Sequence, residues 1–290
     1  MSRWRRALVS TPPWLSPDVP RFAAIDDALL AYDEAGSPAG VPLLYVHGFP
    51  HTRRLWRHQL QGLPPLVYGI AMDLRGFGDS RGPAARSMDA HADDLVRLLD
   101  HLSIESAVCC GLSMGGYVAF ALWRRHPDRV RGLVLADTRM GPDSDEARQK
   151  RQAMIEIAEA RGAAVVADLL LSGMLGARTA HDHPEIVHEM RELMAAQAPA
   201  AIVDALSALR DRVDSSGTLP TVTVPTLAIC GTDDTLTPPS EAKAMRDALT
   251  AAPSVRLELI ERAGHVSCVE RPAAFNCVLG EFMADIARAS

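Results

Sequence analysis

Residues 107–122, "AVCCGLSMGGYVAFAL", place a hydroxyl between glycines with an apolar run on either side. The first run has the length and content of a buried strand, and the second starts a helix that Pro127 stops. A chain that turns from strand to helix in so few residues strains the residue at the apex, and side chains beside it would collide. Gly111 and Gly115 clear that space, so Ser113 stands at the tip of the turn with its oxygen exposed, the arrangement of a G-x-S-x-G nucleophile elbow. A helix N-cap would explain a serine. It would not explain a glycine on both sides.

Serine is a poor nucleophile at neutral pH and needs a base, which a third group must orient. Of ten histidines, only His265 directly follows a late strand in a glycine-preceded loop, "AGHVSCVERP". For the acid, "ICGTDDTLTPP" offers Asp233 and Asp234 at the end of the preceding strand; Asp234 is favoured, with Asp233 as a turn or cap residue. Asp137, ending the strand "VRGLVLADT", is the rival acid. The negative oxygen formed on attack needs two N–H donors: that of Met114, after the nucleophile, and that of Phe49 in "VHGFPHT", where Gly48 permits the bend. His47 beside it reads as an orienting residue rather than a second base. The start of the helix after Ser113 also points its positive end at the site.

These residues need a scaffold that delivers strand ends to one place. After two short strands joined at Asp26-Asp27, apolar strand-like runs (42–48, 67–76, 106–111, 130–138, 225–234, 254–265) alternate with helical patterns (91–102, 115–127, 240–250, 272–289). Short apolar strands separated by helices imply a parallel sheet covered on both faces, and so an α/β fold. Between about Arg139 and Gly217 the alternation stops and only helical patterns remain. This predicts a helical cap, inserted after the sixth strand, above the edge where open sheets bind ligands. The expected organisation is an N-terminal arm (1–20), a core in two parts (21–138 and 218–290) and the cap (139–217).

A net charge of −6 with no Lys/Arg block gives no footprint for nucleic acid or an anionic membrane. Five cysteines, odd in number and mostly inside apolar runs, read as reduced core residues. The apolar stretch near the start, Ala7-Leu8-Val9, is too short for a signal peptide, and no run approaches the ~18 residues of a membrane span. A cytoplasmic location is the expectation. Oligomeric state is not legible.

"HGFP", "DLRGFGDS", "GLSMGG", "GTDDTLTPP" and "AGHVSCVERP", in this order and spacing, resemble the α/β-hydrolase superfamily over nearly all of 21–289 outside the cap. The resemblance implies Ser113 as nucleophile, Asp234 as acid, His265 as base, and Phe49 and Met114 as oxyanion hole, with no cofactor. Serine at the elbow argues against the haloalkane dehalogenase and epoxide hydrolase branches, which use aspartate there. "GLSMGG" and the cap look similar to 3-oxoadipate enol-lactonases and small carboxylesterases. The expected activity is hydrolysis of a small-molecule ester or lactone. The alternatives are carbon–carbon bond hydrolysis or perhydrolysis on the same triad, or a low-turnover ligand receptor. Candidate substrate-binding residues are Arg53 and Trp56, just after the oxyanion loop, and Met174 and Leu175 in the cap. His181, Asp182, His183 and His188 hint at a metal site but lack the ligand number and rigidity of one; no metal is expected.

Overall fold

The structure, a computed structural model, describes residues 20–289. The expected arm therefore lies outside the described residues apart from Pro20. Strands β1 (Arg21–Ile25) and β2 (Ala28–Gly36) form a hairpin, with Asp26 at φ 48° in its two-residue turn. There follow β3 (Val41–Val46), α1 (Arg57–Gln61), β4 (Val67–Met72), α2 (Met88–His101), β5 (Ala107–Leu112), α3 (Met114–Arg125) and β6 (Val130–Ala136). Five helices come next: α4 (Asp145–Arg161), α5 (Ala163–Met174), α6 (Ala177–Asp182), α7 (Pro184–Ala195) and α8 (Pro199–Arg210). The chain closes with β7 (Thr226–Gly231), α9 (Pro239–Ala248), β8 (Val255–Ile260), α10 (Ser267–Glu270) and α11 (Pro272–Ala289).

The eight strands make one sheet in the order β1-β2-β4-β3-β5-β6-β7-β8. β1 and β2 are antiparallel to their neighbours, and every pairing from β4 to β8 is parallel. Parallel strands need helical crossovers, which cover both faces, and the central strands are apolar throughout for that reason. Their alternate residues serve two cores. Leu44, Val46 and Cys109 join one apolar cluster with α2 and α3; Leu43, Tyr45, Val108 and Cys110 join the other with α11. α11 buries Phe275, Leu279, Phe282, Met283 and Ile286, a helical stripe in which each side chain is worth roughly 1.5–3 kcal/mol on burial.

The helices α4–α8 fall between β6 and β7, as the break in alternation predicts. α4 packs along α8, and α5 along α7. Cys109, Cys110, Cys230, Cys268 and Cys277 are all unpaired, and all but Cys277 are buried.

Candidate active site

The ends of β3, β5, β6, β7 and β8 converge on one spot, the carboxyl edge where open α/β sheets present ligands. Ser113 sits between β5 and α3 at φ 54°, ψ −112°. That conformation costs a non-glycine residue on the order of 1–3 kcal/mol. The surroundings impose it: Ser113 N–H donates to Ala136 O (2.9 Å), and its carbonyl accepts from Thr138 Oγ1 (2.8 Å). A Cβ on Gly111 would run into the Gly115 carbonyl, and one on Gly115 into the Val46 carbonyl. The glycines therefore admit backbone on both flanks of the serine.

Ser113 Oγ lies 2.8 Å from His265 Nε2, and His265 Nδ1 lies 2.9 Å from Asp234 Oδ2. Asp234 is held in turn. Oδ1 accepts from the amides of Leu236 (2.8 Å) and Thr237 (3.0 Å), and Oδ2 accepts from Thr237 Oγ1 (2.7 Å). With a carboxylate facing Nδ1, the proton belongs on Nδ1 and Nε2 is left to accept from serine. Burial disfavours the charged imidazole, but the hydrogen bond and charge of Asp234, with Asp137 and Glu270 behind, raise His265 above its ordinary value. Burial also works against ionised Asp234. The His265 contact and the Thr237 donors outweigh it and hold the carboxyl below the usual range.

Asp137, the rival acid, lies beside this chain of contacts without joining it. Its Oδ1 accepts from Gly231 N (2.8 Å), and its Oδ2 from Ser267 N (3.2 Å) and Ser267 Oγ (2.5 Å). It thus ties the end of β7 to the loop that carries His265. Burial and the neighbouring Asp234 push its carboxyl up to about 7. Asp233 is exposed, its amide bonded to Ala263 O (2.8 Å), which is the turn role expected of it. Asp137, Cys230 and Asp234 bring ligand-type atoms within 4.8 Å of one another. The carboxylate oxygens are already taken up by amides, hydroxyls and the imidazole, so the geometry suits proton handling rather than a cation. His181 and His183 are directed to Asp182 and Glu185, their own neighbours, at 2.8 and 3.0 Å.

Phe49 and Met114 flank Ser113 at the wall of the same cavity. Among the described residues, neither amide donates to a partner within the chain. His47 is buried with both nitrogens engaged: Nδ1 donates to Gly48 O (2.9 Å), and Nε2 accepts from Leu74 N (3.0 Å). Burial, chiefly, lowers its pKa to about 4. A neutral ring fixed at both ends shapes the Phe49 loop.

Over Ser113 lies a cavity of about 380 Å³, walled by the strand-end loops below and by α4, α5 and α8 above. The insertion is fastened to the His265 loop. His265 N–H donates to Met174 O (3.0 Å), and the Glu270 carboxylate accepts from Gly176 N (2.9 Å) and Gly264 N (2.8 Å).

Of the four expected substrate-binding residues, only Met174 lines the cavity. Leu175 is buried in the apolar core instead. Trp56 is wholly buried between Tyr45 and Phe275, with ring centroids 5.0 and 6.1 Å away. The Arg53 side chain is 1% exposed and is held by Asp73, Asp79 (2.9 Å) and Asp33 (3.0 Å). Position after the oxyanion loop suggested access, but the short helical turn at Arg53–Trp56 folds both side chains inward. Sequence reasoning missed Thr237, which braces the acid, and Tyr117, Arg139, Lys150 and Arg151 on the cavity wall. Thr237 lies inside "GTDDTLTPP", three residues after Asp234, and that closeness was its signal; no local motif marks the other four, which the packing of α3 and the insertion brings together.

Comparison with known proteins agrees with this architecture. The family model for the alpha/beta hydrolase fold matches residues 41–163. A thermophilic esterase from Thermogutta terrifontis, solved with malate bound, is 34% identical, with TM-score 0.86 over 92% of this chain and 99% of that one. The enol-lactonase of Burkholderia xenovorans LB400 is 25% identical, with TM-score 0.83 over 91% of this chain and 100% of its own. The 3-oxoadipate enol-lactonase 2 of Acinetobacter baylyi is 27% identical over 251 residues, 86% of this chain and 91% of that protein. A shared fold and alignment over nearly the whole length leave one conclusion: the chain belongs to the α/β-hydrolase fold family.

Proposed function

We propose that the protein hydrolyses carboxylic esters or lactones through an acyl-enzyme on Ser113. The observation that carries this is the unbroken line from Ser113 Oγ to His265 Nε2 and from His265 Nδ1 to Asp234, opening into a largely apolar cavity. The similarity to an esterase and to enol-lactonases supports the same reaction class.

A bound ester places its carbonyl carbon over Ser113 Oγ. Oγ attacks as His265 Nε2 takes its proton, and Asp234 stabilises the imidazolium that forms. The carbonyl oxygen becomes an oxyanion facing the amides of Phe49 and Met114. The tetrahedral intermediate collapses, His265 returns the proton to the leaving alkoxide, and an acyl-serine remains. Water then attacks with the same base, releasing the acid and restoring Oγ–H. In a lactone the leaving alkoxide stays tethered, so one hydroxy acid is the product. The helices of the insertion act as the cap that shields these steps from bulk water.

Ser113→Ala tests this. Turnover of p-nitrophenyl butyrate is expected to fall by at least about 10⁴-fold, with the circular dichroism spectrum and unfolding temperature retained. Turnover at the wild-type rate in the folded variant would overturn the assignment.

A further inference from the structure

The cavity over Ser113 has a charge imbalance that ester hydrolysis does not call for. Its wall includes Arg139, Lys150 and Arg151, and none of the residues lining it is acidic. The counter-ion for this region is Asp143, whose side chain is fully buried. Asp143 Oδ1 meets Arg139 Nη2 (2.7 Å) and Arg212 Nη1 (2.6 Å), and Oδ2 meets Arg151 Nε. Burial disfavours the ionised carboxyl, but Arg151 and Arg212 outweigh it and keep it below the usual range. One negative charge thus faces three guanidinium groups, and two positive charges are left over.

Arg212 is otherwise occupied. It donates to the carbonyls of Leu209 and Gly141 (2.9 Å each), and its guanidinium lies 4.4 Å from the centre of the Tyr117 ring. Among the described residues, Arg139 and Arg212 each have a buried Nε with no hydrogen-bond partner, but only Arg139 lines the cavity. An orphaned buried guanidinium nitrogen is expensive unless an acceptor arrives. Lys150 adds a third cation at the rim. Its contact to Glu146 joins two side chains about three-quarters exposed, too wet to neutralise it firmly. The rest of the wall includes Met154, Leu170, Leu206, Leu209 and Leu236. Apolar walls strengthen the pull of those charges on an anion within.

We propose that the substrate carries a carboxylate, separate from the carbonyl attacked by Ser113, and that Arg139, flanked by Arg151 and Lys150, binds it. This rests on Ser113 being the nucleophile. The carboxylate belongs either to the acyl part or to the alcohol part of the substrate, and the test separates these.

Two matched pairs of substrates serve with the full chain: mono-p-nitrophenyl glutarate against its methyl ester, and the butyrate ester of p-hydroxybenzoate against that of methyl p-hydroxybenzoate. In one pair the charged member is expected to have kcat/KM higher by about 10- to 100-fold, the worth of a charge-assisted hydrogen bond, and chiefly through KM. That pair identifies the side of the ester bearing the anion. In Arg139→Gln the preference should fall to near parity, and Arg139→Lys should restore part of it. Lys150→Glu alters an exposed helical position, so it tests the same point without disturbing the Asp143 cluster, and it should reduce the preference. The inference is overturned if neutral esters are hydrolysed in a Ser113-dependent manner while neither charged ester is preferred. It is also overturned if the preference survives both Arg139→Gln and Lys150→Glu. Should the wild type hydrolyse none of the four, the hydrolase reading fails on its own, and calorimetric titration with glutarate and p-hydroxybenzoate decides the anion site. Binding that weakens in Lys150→Glu would support it, and no binding would sink it.

Discussion

Replacing Asp234 by asparagine tests whether the carboxylate sets the state of the imidazole. Oδ1 accepts from two backbone amides, so an asparagine here keeps its carbonyl oxygen on Leu236 and Thr237 and turns its NH₂ toward His265. Nδ1 then faces a donor and must accept. The ring proton moves to Nε2, which can no longer take the proton of Ser113 Oγ. The escape is to flip the amide, and that sets NH₂ against two N–H groups, that of Thr237 buried and that of Leu236 partly so. At about 1–3 kcal/mol for each unsatisfied donor, the productive tautomer is disfavoured by about 30-fold to 10⁴-fold. Loss of the negative charge opposite the imidazolium deepens the defect, so kcat/KM near neutral pH should fall by about 10³- to 10⁴-fold. Steady-state hydrolysis of p-nitrophenyl acetate gives the rate, and ¹⁵N NMR of the imidazole reports the tautomer. A loss below tenfold, or an Nδ1–H tautomer retained in the variant, would refute the reasoning. So would a larger loss in Asp137→Asn than in Asp234→Asn.

Three further outcomes follow from the same contacts. His265 must be neutral to act, and its partners raise its pKa, so kcat/KM should climb with pH along a limb centred above the ordinary histidine value of about 6.5; a wild-type midpoint below that value contradicts the assigned electrostatics. Arg53→Met leaves Asp73 buried and without its cation, which should cost about 3–5 kcal/mol in urea unfolding. KM for p-nitrophenyl butyrate should change little, whereas a raised KM at unchanged stability would return Arg53 to the substrate site. Gly115→Ala drives a methyl group into the Val46 carbonyl, a backbone atom that cannot swing aside. Thermal unfolding should show a loss of about 1–3 kcal/mol or more, with activity falling alongside; an unperturbed variant would mean the elbow is less crowded than described.

What the sequence made legible was whatever local geometry forces. The glycines around Ser113 mark an elbow because no side chain fits there, and the apolar runs mark buried strands because a covered parallel sheet tolerates nothing else. The order of Ser113, Asp234 and His265 along the chain was readable for the same reason, since each closes a strand. Choosing Asp234 over Asp137 was harder, because both occupy such ends. The difference lies in donors from elsewhere: Ser267 and Gly231 claim Asp137, while Thr237 braces Asp234. The cavity wall was the least legible part. Arg53 looked available by position, yet three aspartates, one from β2 and two from the loop after β4, draw it inward. Arg139 and Arg151 reach the wall through the shared Asp143, a contact that depends on how α4 settles beside α8.

The bonds between Met174 and His265, and from Glu270 to Gly176 and Gly264, amount to rivets that join roof to floor at the very loop bearing the base. Lifting α5 would break the bonds of the His265 and Gly176 amides and pull on the loop that holds the imidazole against Ser113. An approach from the opposite eave, where α4 meets solvent at Lys150, would leave those bonds in place. On the proposed reaction, a molecule entering there would meet the cations before Ser113, so its charge would be inspected ahead of any chemistry.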